Sequence, residues 1–386
     1  MSLPKTKIPL LNEAPEKCCG CTACYAACPV GAISMREDEE GFLYPEISSE
    51  KCLGCNKCVN VCAFKKKNVS NEKILSVYAV KHSSEEIRMD SRSGGIFTAL
   101  SDETLKNGGA VYGCVMKDQY TAVHIRAEST DDRNKMRGSK YIQSDMGDCF
   151  QQVKKDLLSD RYVLFSGTSC QIDGLKSYLG KEYERLLCVD IVCHSVPSRK
   201  IWEDFVRYQE KKYGQCVGIK FRNKRDFGWA GHIETLSFDK NRKKRYVDTE
   251  IFKNLFYGDY ISRPSCYECP YKSIYHPGDI TIGDYWGIDK AAPGFNDNKG
   301  VSLVIINTEK GKAAFEAVKE NCTFQETKIE DSIQSPFVKP ISRPQNRASF
   351  WDDYKNRKFS YIIKKYGTKN WKQKVKFCIR RFKRIK

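Results

Sequence analysis

Residues 18–29 read CCGCTACYAACP, and four of their cysteines follow the spacing C-x2-C-x2-C-x3-C, with a proline after the last. Residues 52–62 read CLGCNKCVNVC and repeat that spacing. Short turns between the cysteines let three thiolates converge on one face of a metal centre, and thiolates are soft donors that suit iron–sulfur clusters and zinc. Two complete copies of so restrictive a spacing decide how the N-terminal part of the chain folds.

The two runs have the ligand spacing of a bacterial ferredoxin with two 4Fe–4S clusters. In such a module the first three cysteines of each run hold one cluster and the fourth reaches across to the other. Zinc is the main competing metal, but its sites use paired cysteines or Cys/His sets. We therefore predict two clusters and, between the runs, a strand–turn–strand segment at residues 33–45. The eight predicted ligands are Cys18, Cys21, Cys24, Cys28, Cys52, Cys55, Cys58 and Cys62.

The whole chain has 386 residues, which is enough for two or three domains, and 19 cysteines. A disulfide framework would require an oxidising compartment. The first residues lack the apolar core of a signal peptide, and no apolar run is as long as a membrane span. We therefore expect a cytoplasmic protein whose cysteines are metal ligands or buried thiols.

The chain carries a formal net charge of +18. Such an excess attracts acidic partners, for example small ferredoxins or flavodoxins, as well as anionic lipid surfaces and phosphorylated substrates. No nucleic-acid-binding motif accompanies the charge, so we expect no nucleic-acid partner.

After the cysteine module, apolar strands alternate with helices, as in an α/β core. The predicted fold is an α+β ferredoxin-like dicluster domain (1–70) followed by an α/β domain (71–345) with an N-terminal part at 75–155 and a C-terminal part at 160–320. Residues 216–250 are charged and β-rich, which indicates an antiparallel hairpin set. The predicted strands lie at 77–80, 110–116, 162–165 and 186–192, and the predicted helices at 96–106 and after 170.

The last segment, 346–386, is basic and predicted to be helical. Five residues would share its apolar face, namely Trp371, Val375, Cys378, Phe382 and Ile385. This pattern is typical of a helix that lies peripherally on the inner face of a membrane, and equally of a helix docked on its own domain.

Four further cysteines lie where ligands are expected. Cys170 and Cys193 follow the ends of two apolar strands, and carboxyl ends of strands are where sites assemble in α/β sheets. Cys266 and Cys269 form a C-x2-C pair in a loop. The first two cysteines could equally be small buried hydrophobes, and the pair a redox pair or half of a zinc site, so spacing leaves a shared cluster open. The other cysteines have no motif and are interpreted as buried thiols, namely Cys19, Cys114, Cys149, Cys188, Cys216, Cys322 and Cys378.

Residues 167–176, GTSCQIDGLK, resemble the GTPCQIxGLK motif of the beta-subunit family of coenzyme F420-reducing hydrogenases and dehydrogenases. Other family motifs follow in order over roughly residues 75–300, and many family members carry an N-terminal dicluster ferredoxin. They are SRSGG at 91–95, GSKY at 138–141, DIVCH at 190–194, FRNK at 221–224, GW at 228–229, RPSC at 263–266 and GDYWG at 283–287. Three positions depart from the pattern and leave the use of coenzyme F420 open: Ser169 for Pro, Ser195 for Gly and Arg92 for Gln.

The resemblance implies an FAD site beside a third 4Fe–4S cluster held by Cys170, Cys193, Cys266 and Cys269. The turn at residues 93–95 would bind the flavin diphosphate at a helix N-terminus, where backbone N–H groups favour an anion. Lys140 would neutralise phosphate or reduced-flavin charge, and Thr168 and Gln171 would hydrogen-bond the isoalloxazine. His194 would relay a proton. Each also has a plain structural interpretation: a helix cap at Ser93, Gly94 and Gly95, a solvated lysine, and a packed histidine.

These features predict an iron–sulfur flavoprotein oxidoreductase that passes electrons between a ferredoxin-type or F420-like donor and an organic substrate. The absence of a GxGxxG fingerprint weakens NAD(P) as the donor. One alternative is a non-catalytic electron-transfer subunit that docks on a separate enzyme, for example in polysaccharide biosynthesis, since bacterial members of the family are similar to proteins encoded among polysaccharide-synthesis genes. Another is a regulatory iron–sulfur protein at the membrane surface.

Overall fold

The structure is a computed structural model that describes residues 8–11, 13–66, 73–240 and 243–368. The strands in these ranges are β1 Ile33–Glu37, β2 Leu43–Ile47, β3 Ser76–His82, β4 Ala110–Met116, β5 Ala122–Ala127, β6 Ser144–Asp145, β7 Val163–Thr168, β8 Leu186–Ile191, β9 Gln215–Lys220, β10 Glu234–Lys240, β11 Lys243–Thr249, β12 Ile280–Asp284, β13 Ser302–Ile306 and β14 Cys322–Thr327. The α-helices are α1 Ala23–Ala27, α2 Lys57–Asn60, α3 Ala63–Lys66, α4 Glu85–Asp90, α5 Ile96–Lys106, α6 Thr130–Asn134, α7 Cys149–Leu158, α8 Ser169–Leu179, α9 Arg199–Tyr213, α10 Lys224–Phe227, α11 Ile251–Tyr257, α12 Ile288–Ala291, α13 Glu309–Glu316, α14 Arg347–Asn356 and α15 Phe359–Ile362.

The N-terminal module has the internal repeat that its sequence predicts. A left-handed residue precedes the first helix in each half, Thr22 (φ 68°) before α1 and Asn56 (φ 58°) before α2. Strands β1 and β2 pair antiparallel between the two halves, with Ile33 opposite Ile47. The strand–turn–strand prediction is therefore confirmed, and helices α1 and α2, which contain Cys24 and Cys58 of the two cysteine runs, contact each other.

The large domain is built on a nine-stranded mixed sheet in the order β14-β3-β13-β12-β8-β7-β4-β5-β6. Strands β12, β8, β7 and β4 are mutually parallel, whereas β13, β3 and β14 run antiparallel to their neighbours. The predicted strands at 77–80, 110–116, 162–165 and 186–192 are all in this sheet, and the predicted helix at 96–106 is α5. The α/β prediction is therefore confirmed.

Helices cover both faces of this sheet. On one face α5 buries Ile96, Ala99 and Leu100 against the strands. On the other face α7 and α8 bury apolar side chains, among them Ile172 and Leu175, which are fully inaccessible. Each such side chain contributes about 1.5–3 kcal/mol through removal from water. Burial on both faces fixes the parallel strands, whose carboxyl ends carry Cys170 and Cys193.

A smaller antiparallel sheet, in the order β11-β10-β9, confirms the hairpin set predicted for 216–250. It packs with α9 and α11 around Trp202, Phe205 and Phe252. Phe350 and Ile362 of the C-terminal segment belong to the same core. The predicted apolar face from Trp371 to Ile385 lies outside the described residues. In the described part of the chain, no helix combines the length and apolarity needed to cross a bilayer.

Candidate metal centres and the adjoining redox site

The first group of cysteines, the outer site, lies at the protein surface. It combines Cys28, the last cysteine of the first run, with Cys52, Cys55 and Cys58, the first three of the second run, around one pocket. Cys55 is exposed and Cys58 is buried. Backbone N–H groups point at two of the sulfurs, from Ala32 to Cys28 and from Gly54 to Cys52. The crossed ligand set is the one that the ferredoxin spacing predicts.

The second group, the inner site, consists of Cys18, Cys21, Cys24 and Cys62. Burial raises the pKa of Cys24, and Cys21, Cys18 and Cys62 are close enough to raise it further. This is again three cysteines of one run with the fourth of the other. Cys24 and Cys28 pack in one small apolar cluster with Cys58, which brings the inner and outer sites together.

The third group, here called the third site, comes from three separate segments of the large domain. Cys170 opens α8, Cys193 follows β8, and Cys266 and Cys269 lie in and after the turn Pro264–Glu268, and all four line one pocket. Val196 donates its N–H to Cys266 Sγ (3.4 Å). Burial raises the pKa of Cys266, and that of Cys269 to about 12. Buried thiols of this kind become thiolates when a metal binds.

The donor chemistry of all three groups fits iron–sulfur clusters. Each group supplies four sulfur ligands, and each lies in a site that is at least partly shielded from water. Within the described ranges, no three His, Cys, Asp or Glu side chains converge as they would on a single metal ion. A cubane cluster holds its thiolates farther apart than one ion does.

Arg263 and Cys19 join the inner site to the third site. The buried Arg263 guanidinium donates to the carbonyl oxygens of Cys18 (2.8 Å) and Leu43 (3.1 Å) and to Gln143 Oε1 (3.2 Å). Cys19 hydrogen-bonds to both Cys21 and Cys170, and this contact lowers the pKa of Cys170 to about 7. The sequence offered no motif for Cys19, and its position between two ligand groups emerges only from the tertiary fold.

His194, the predicted proton relay, lines the third site next to Cys193. Its Nε2 lies 2.9 Å from Asp259 Oδ1, and its ring contacts Phe256 and Tyr257 edge-on with centroid distances of 5.0 and 5.2 Å. The Lys272 ammonium donates to the carbonyl oxygens of Cys193 and His194 and so fixes this loop. His194 therefore connects the third site to the aromatic rings of Phe256 and Tyr257.

The predicted diphosphate turn sits at the start of α5, an eleven-residue helix. Ser93 Oγ donates to the Val301 carbonyl oxygen (2.6 Å), and the Gly94 N–H donates to Ser302 Oγ (2.9 Å). Gly95 adopts φ 94°, a left-handed conformation that favours glycine. Ser93 and Gly94 thus position the turn, while the first N–H groups of α5 have no acceptor within the helix.

The other predicted cofactor residues also have structural partners. The Lys140 ammonium donates to the carbonyl oxygens of residues 135–138, and burial lowers its pKa to about 8. Thr168 and Gln171 form the capping box of α8, and Gln171 Nε2 donates to Ser144 Oγ (3.0 Å). Arg137, which had no sequence signal, donates to Thr98 Oγ1 (3.1 Å) in the first turn of α5 and adds positive charge there.

A cluster of rings and arginines, here called the ring cluster, gathers most of the family motifs beside His194. It was not predicted as a site. Trp229 stacks on Trp286 (4.8 Å between centroids), and both Arg92 and Arg222 lie over the Trp286 ring. Its members are Arg92, Tyr141, Arg222, Trp229, His232, Tyr257, Asp284 and Trp286.

The Arg92–Asp284 ion pair in the ring cluster is largely shielded from solvent. Arg92 pairs with Asp284 (2.8 Å) with side chains 10% and 13% exposed, yet Arg92 Nε has no hydrogen-bond partner among the described residues. Trp229 Nε1 donates to Asp284 Oδ1 (2.8 Å). Lys224 is also buried, and it donates to the carbonyl oxygens of Ser93 (2.9 Å) and Lys299 (2.8 Å), which ties the turn at the start of α5 to this cluster.

Comparisons with known proteins agree with the motifs. Residues 160–332 match the family model for the C terminus of the coenzyme F420 hydrogenase/dehydrogenase beta subunit, and residues 17–66 match that of the 4Fe-4S dicluster domain. The F subunit of the F(420)H(2) dehydrogenase of Methanosarcina mazei is 22% identical over 331 residues, 81% of this chain and 85% of that protein. A chain from the structure of the F420-reducing [NiFe] hydrogenase complex of Methanosarcina barkeri is 19% identical with a TM-score of 0.43, covering 68% of this chain and 85% of that one. The family resemblance and the dicluster assignment are confirmed.

Proposed function

We propose that this chain, which carries a domain of the coenzyme F420 hydrogenase/dehydrogenase beta-subunit family and a 4Fe-4S dicluster domain, links a one-electron carrier to a two-electron flavin site. It is an iron–sulfur electron-transfer protein. The observation that carries the proposal is the unbroken succession of outer site, inner site, third site and ring cluster. Cys24 and Cys28, then Cys19, then His194 make the three connections.

The twelve cysteines of the three sites would hold three 4Fe–4S clusters, which exchange single electrons. Burial and N–H···S contacts are the means by which a chain sets cluster potentials. The described cysteines form no disulfide, which suits a reducing cytoplasm. The proposed domains are residues 1–70, 71–345 and 346–386. Side chains from 350–366 in the last of these pack into the core of the large domain.

Carriers would dock at the outer site. Cys55 is exposed there, and the apolar side chains of Leu53 and Val30 around it are 60% and 41% exposed. Lys51 and Lys57 stand exposed on either side of this cysteine. An acidic electron carrier such as a small ferredoxin or flavodoxin has the complementary charge.

FAD would lie between the start of α5 and the ring cluster. The N-terminus of α5 and the nearby Arg137 suit its diphosphate, and the rings of Trp286 and Tyr257 suit its isoalloxazine. Arg92 Nε is a buried donor with no partner among the described residues, and a flavin carbonyl oxygen would satisfy it. When bound, FAD converts between single electrons and electron pairs. The substrate side would accept or supply an electron pair, with an organic compound or an F420-like donor as the partner.

Cofactor content tests this proposal. Protein purified without oxygen should contain about twelve irons, matching sulfide, and about one FAD per chain. Cys170→Ser should remove about a third of the iron, because the third site loses a ligand. Cys322→Ser is the matched control, since Cys322 is a buried thiol outside all three sites and its loss should leave the iron unchanged. About eight irons and no flavin in the unaltered chain would refute the third cluster and the flavin site together.

A further inference from the structure

One buried carboxylic acid next to the ring cluster has no role in the electron path. Glu234 begins β10 and is 1% exposed. No side chain among the described residues donates a hydrogen bond to its carboxyl oxygens, which the backbone N–H groups of Glu234 and Lys253 approach. Removing an acid from water in this way is costly unless the acid stays protonated. A protonated acid is a proton source.

His232, a member of the ring cluster, connects this acid to two tyrosine rings of the cluster. Its Nε2 lies 3.9 Å from Glu234 Oε1, and its ring lies 5.3 Å from those of both Tyr141 and Tyr257. The side chain is 11% exposed, and Nδ1 has no hydrogen-bond partner among the described residues. A neutral imidazole can accept a proton at one nitrogen and release one from the other.

Burial favours a protonated Glu234, and burial together with the neighbouring positive charges favours a neutral His232 imidazole. Burial raises the pKa of Glu234 to about 8, against the opposing effects of the Lys253 ammonium, the backbone N–H groups of Glu234 and Lys253, and Arg222. The Lys253 ammonium is itself paired with Glu250. Burial, Arg222, Lys253 and Arg92 together lower the pKa of His232 far below its ordinary value. At pH 7 the Glu234 carboxyl group is therefore protonated and the His232 imidazole is neutral.

We infer that Glu234 and His232 deliver protons to the two-electron site at the ring cluster. The inference rests on the proposed function. In a two-electron reduction of a C=O or C=N bond, the π bond breaks, and the carbon receives a hydride equivalent made of two carrier electrons and a solvent proton. One nitrogen of His232 releases the second proton to the heteroatom while its other nitrogen takes the Glu234 proton in the same step, so the imidazole stays neutral, and water later reprotonates the Glu234 carboxylate. An oxidation runs these steps in reverse.

Infrared spectroscopy of the full-length chain tests the protonation state without any turnover. The C=O band of a protonated carboxylic acid should be present at pH 7, disappear around pH 8 to 9, and be missing from Glu234→Gln. Glu210→Gln is the matched control, because Glu210 accepts hydrogen bonds from Tyr120 and from the Cys216 N–H and lies away from the ring cluster. If Glu234→Gln leaves the band unchanged, the acid is ionised and the inference is wrong.

Reoxidation of the dithionite-reduced chain tests delivery. 1,4-Benzoquinone needs protons as well as electrons, whereas ferricyanide takes single electrons only. Glu234→Gln and His232→Gln should each slow the quinone reaction at least about 10-fold at pH 7. Glu234→Gln should leave the ferricyanide reaction unchanged, because Glu234 is not a member of the ring cluster. The quinone rate of the unaltered chain should fall as the pH rises above about 8, and that of Glu234→Gln should lose this dependence.

The outcomes separate the two proposals. Equal quinone rates and pH profiles in the variants and the unaltered chain would overturn proton delivery, while the cofactor content would still support the electron path. Equal slowing of both reactions in Glu234→Gln would indicate structural damage and would also overturn the inference. A chain without flavin refutes the proposed function, and the infrared band then still reports whether Glu234 holds its proton.

Discussion

Gly174 is the residue at which α8 touches the dicluster module. A Cβ atom at this position would lie 2.7 Å from Cys21 Sγ and 2.9 Å from Cys21 Cβ. In an exposed helix, alanine would stabilise by about 1 kcal/mol relative to glycine. Here we expect Gly174→Ala to destabilise the chain by about 1–3 kcal/mol, because Cys21 packs directly against this position and the added methyl group would overpack the contact. Urea unfolding without oxygen, together with iron analysis, measures both effects.

Ser177→Ala in the same helix is the control. Its hydroxyl is buried and has no hydrogen-bond partner among the described residues, so its loss should leave iron content and stability nearly unchanged. A Gly174→Ala chain as stable and as rich in iron as the unaltered one would mean that the module moves aside at little cost.

Single residues differ in how well the sequence predicts them. The eight ferredoxin cysteines can be predicted because short turns tie each ligand to its neighbours in the chain. Cys19 and Glu234 cannot be predicted as site residues, because their surroundings come from other helices. Cys19 contacts Cys170 in α8, and Glu234 lies beside Lys253 in α11. Lys140 was expected to face a cofactor; its ammonium donates hydrogen bonds to backbone carbonyl oxygens, a contact that the sequence does not reveal.

The Glu234 carboxyl group at the start of β10 makes the free energy of unfolding of the chain depend on pH. The pKa of Glu234 rises from 4.5 in the unfolded chain to about 8 in the folded one. Between these values the folded chain keeps a proton that the unfolded chain has lost, so the free energy of unfolding falls as the pH rises. Glu234→Gln should remove this fall, and the variant should gain on the order of 5 kcal/mol relative to the unaltered chain between pH 4.5 and 8.

Urea midpoints at pH 5, 7 and 9 measure this difference. Glu210→Gln should show no comparable trend. Parallel curves for Glu234→Gln and the unaltered chain would mean that the Glu234 carboxyl is ionised in the folded state.

Helices and strands can be predicted from local sequence patterns where their side chains are strongly buried. Helix α5 and strand β4 have the predicted bounds, because glycines end the helix and apolar residues fill the strand. The order of the sheet does not follow from such patterns. Strand β3 pairs antiparallel with both β13 and β14, more than 200 residues away, and these partners are chosen by tertiary packing.

For the molecule as a whole, Arg263 is a fully buried polar link between the dicluster module and the large domain. It is 1% exposed, its donors reach Cys18, Leu43 and Gln143, and its guanidinium lies 4.1 Å from the centre of the Tyr44 ring. Arg263→Met would leave these acceptors without their buried donor. We expect a loss of about 3–5 kcal/mol of stability and slower electron passage from the inner to the third site.

Rapid mixing with a reduced ferredoxin, followed at the cluster and flavin absorbances, separates the two steps. In Arg263→Met the first phase, at the outer site, should keep its rate, whereas flavin reduction should slow. Arg343→Ala is the control, because it removes an exposed ion pair with Glu16 that also joins the N-terminal segment to the large domain, and such pairs contribute at most about 1 kcal/mol. Unchanged flavin reduction in an Arg263→Met chain with full iron content would show that the two halves exchange electrons by another contact.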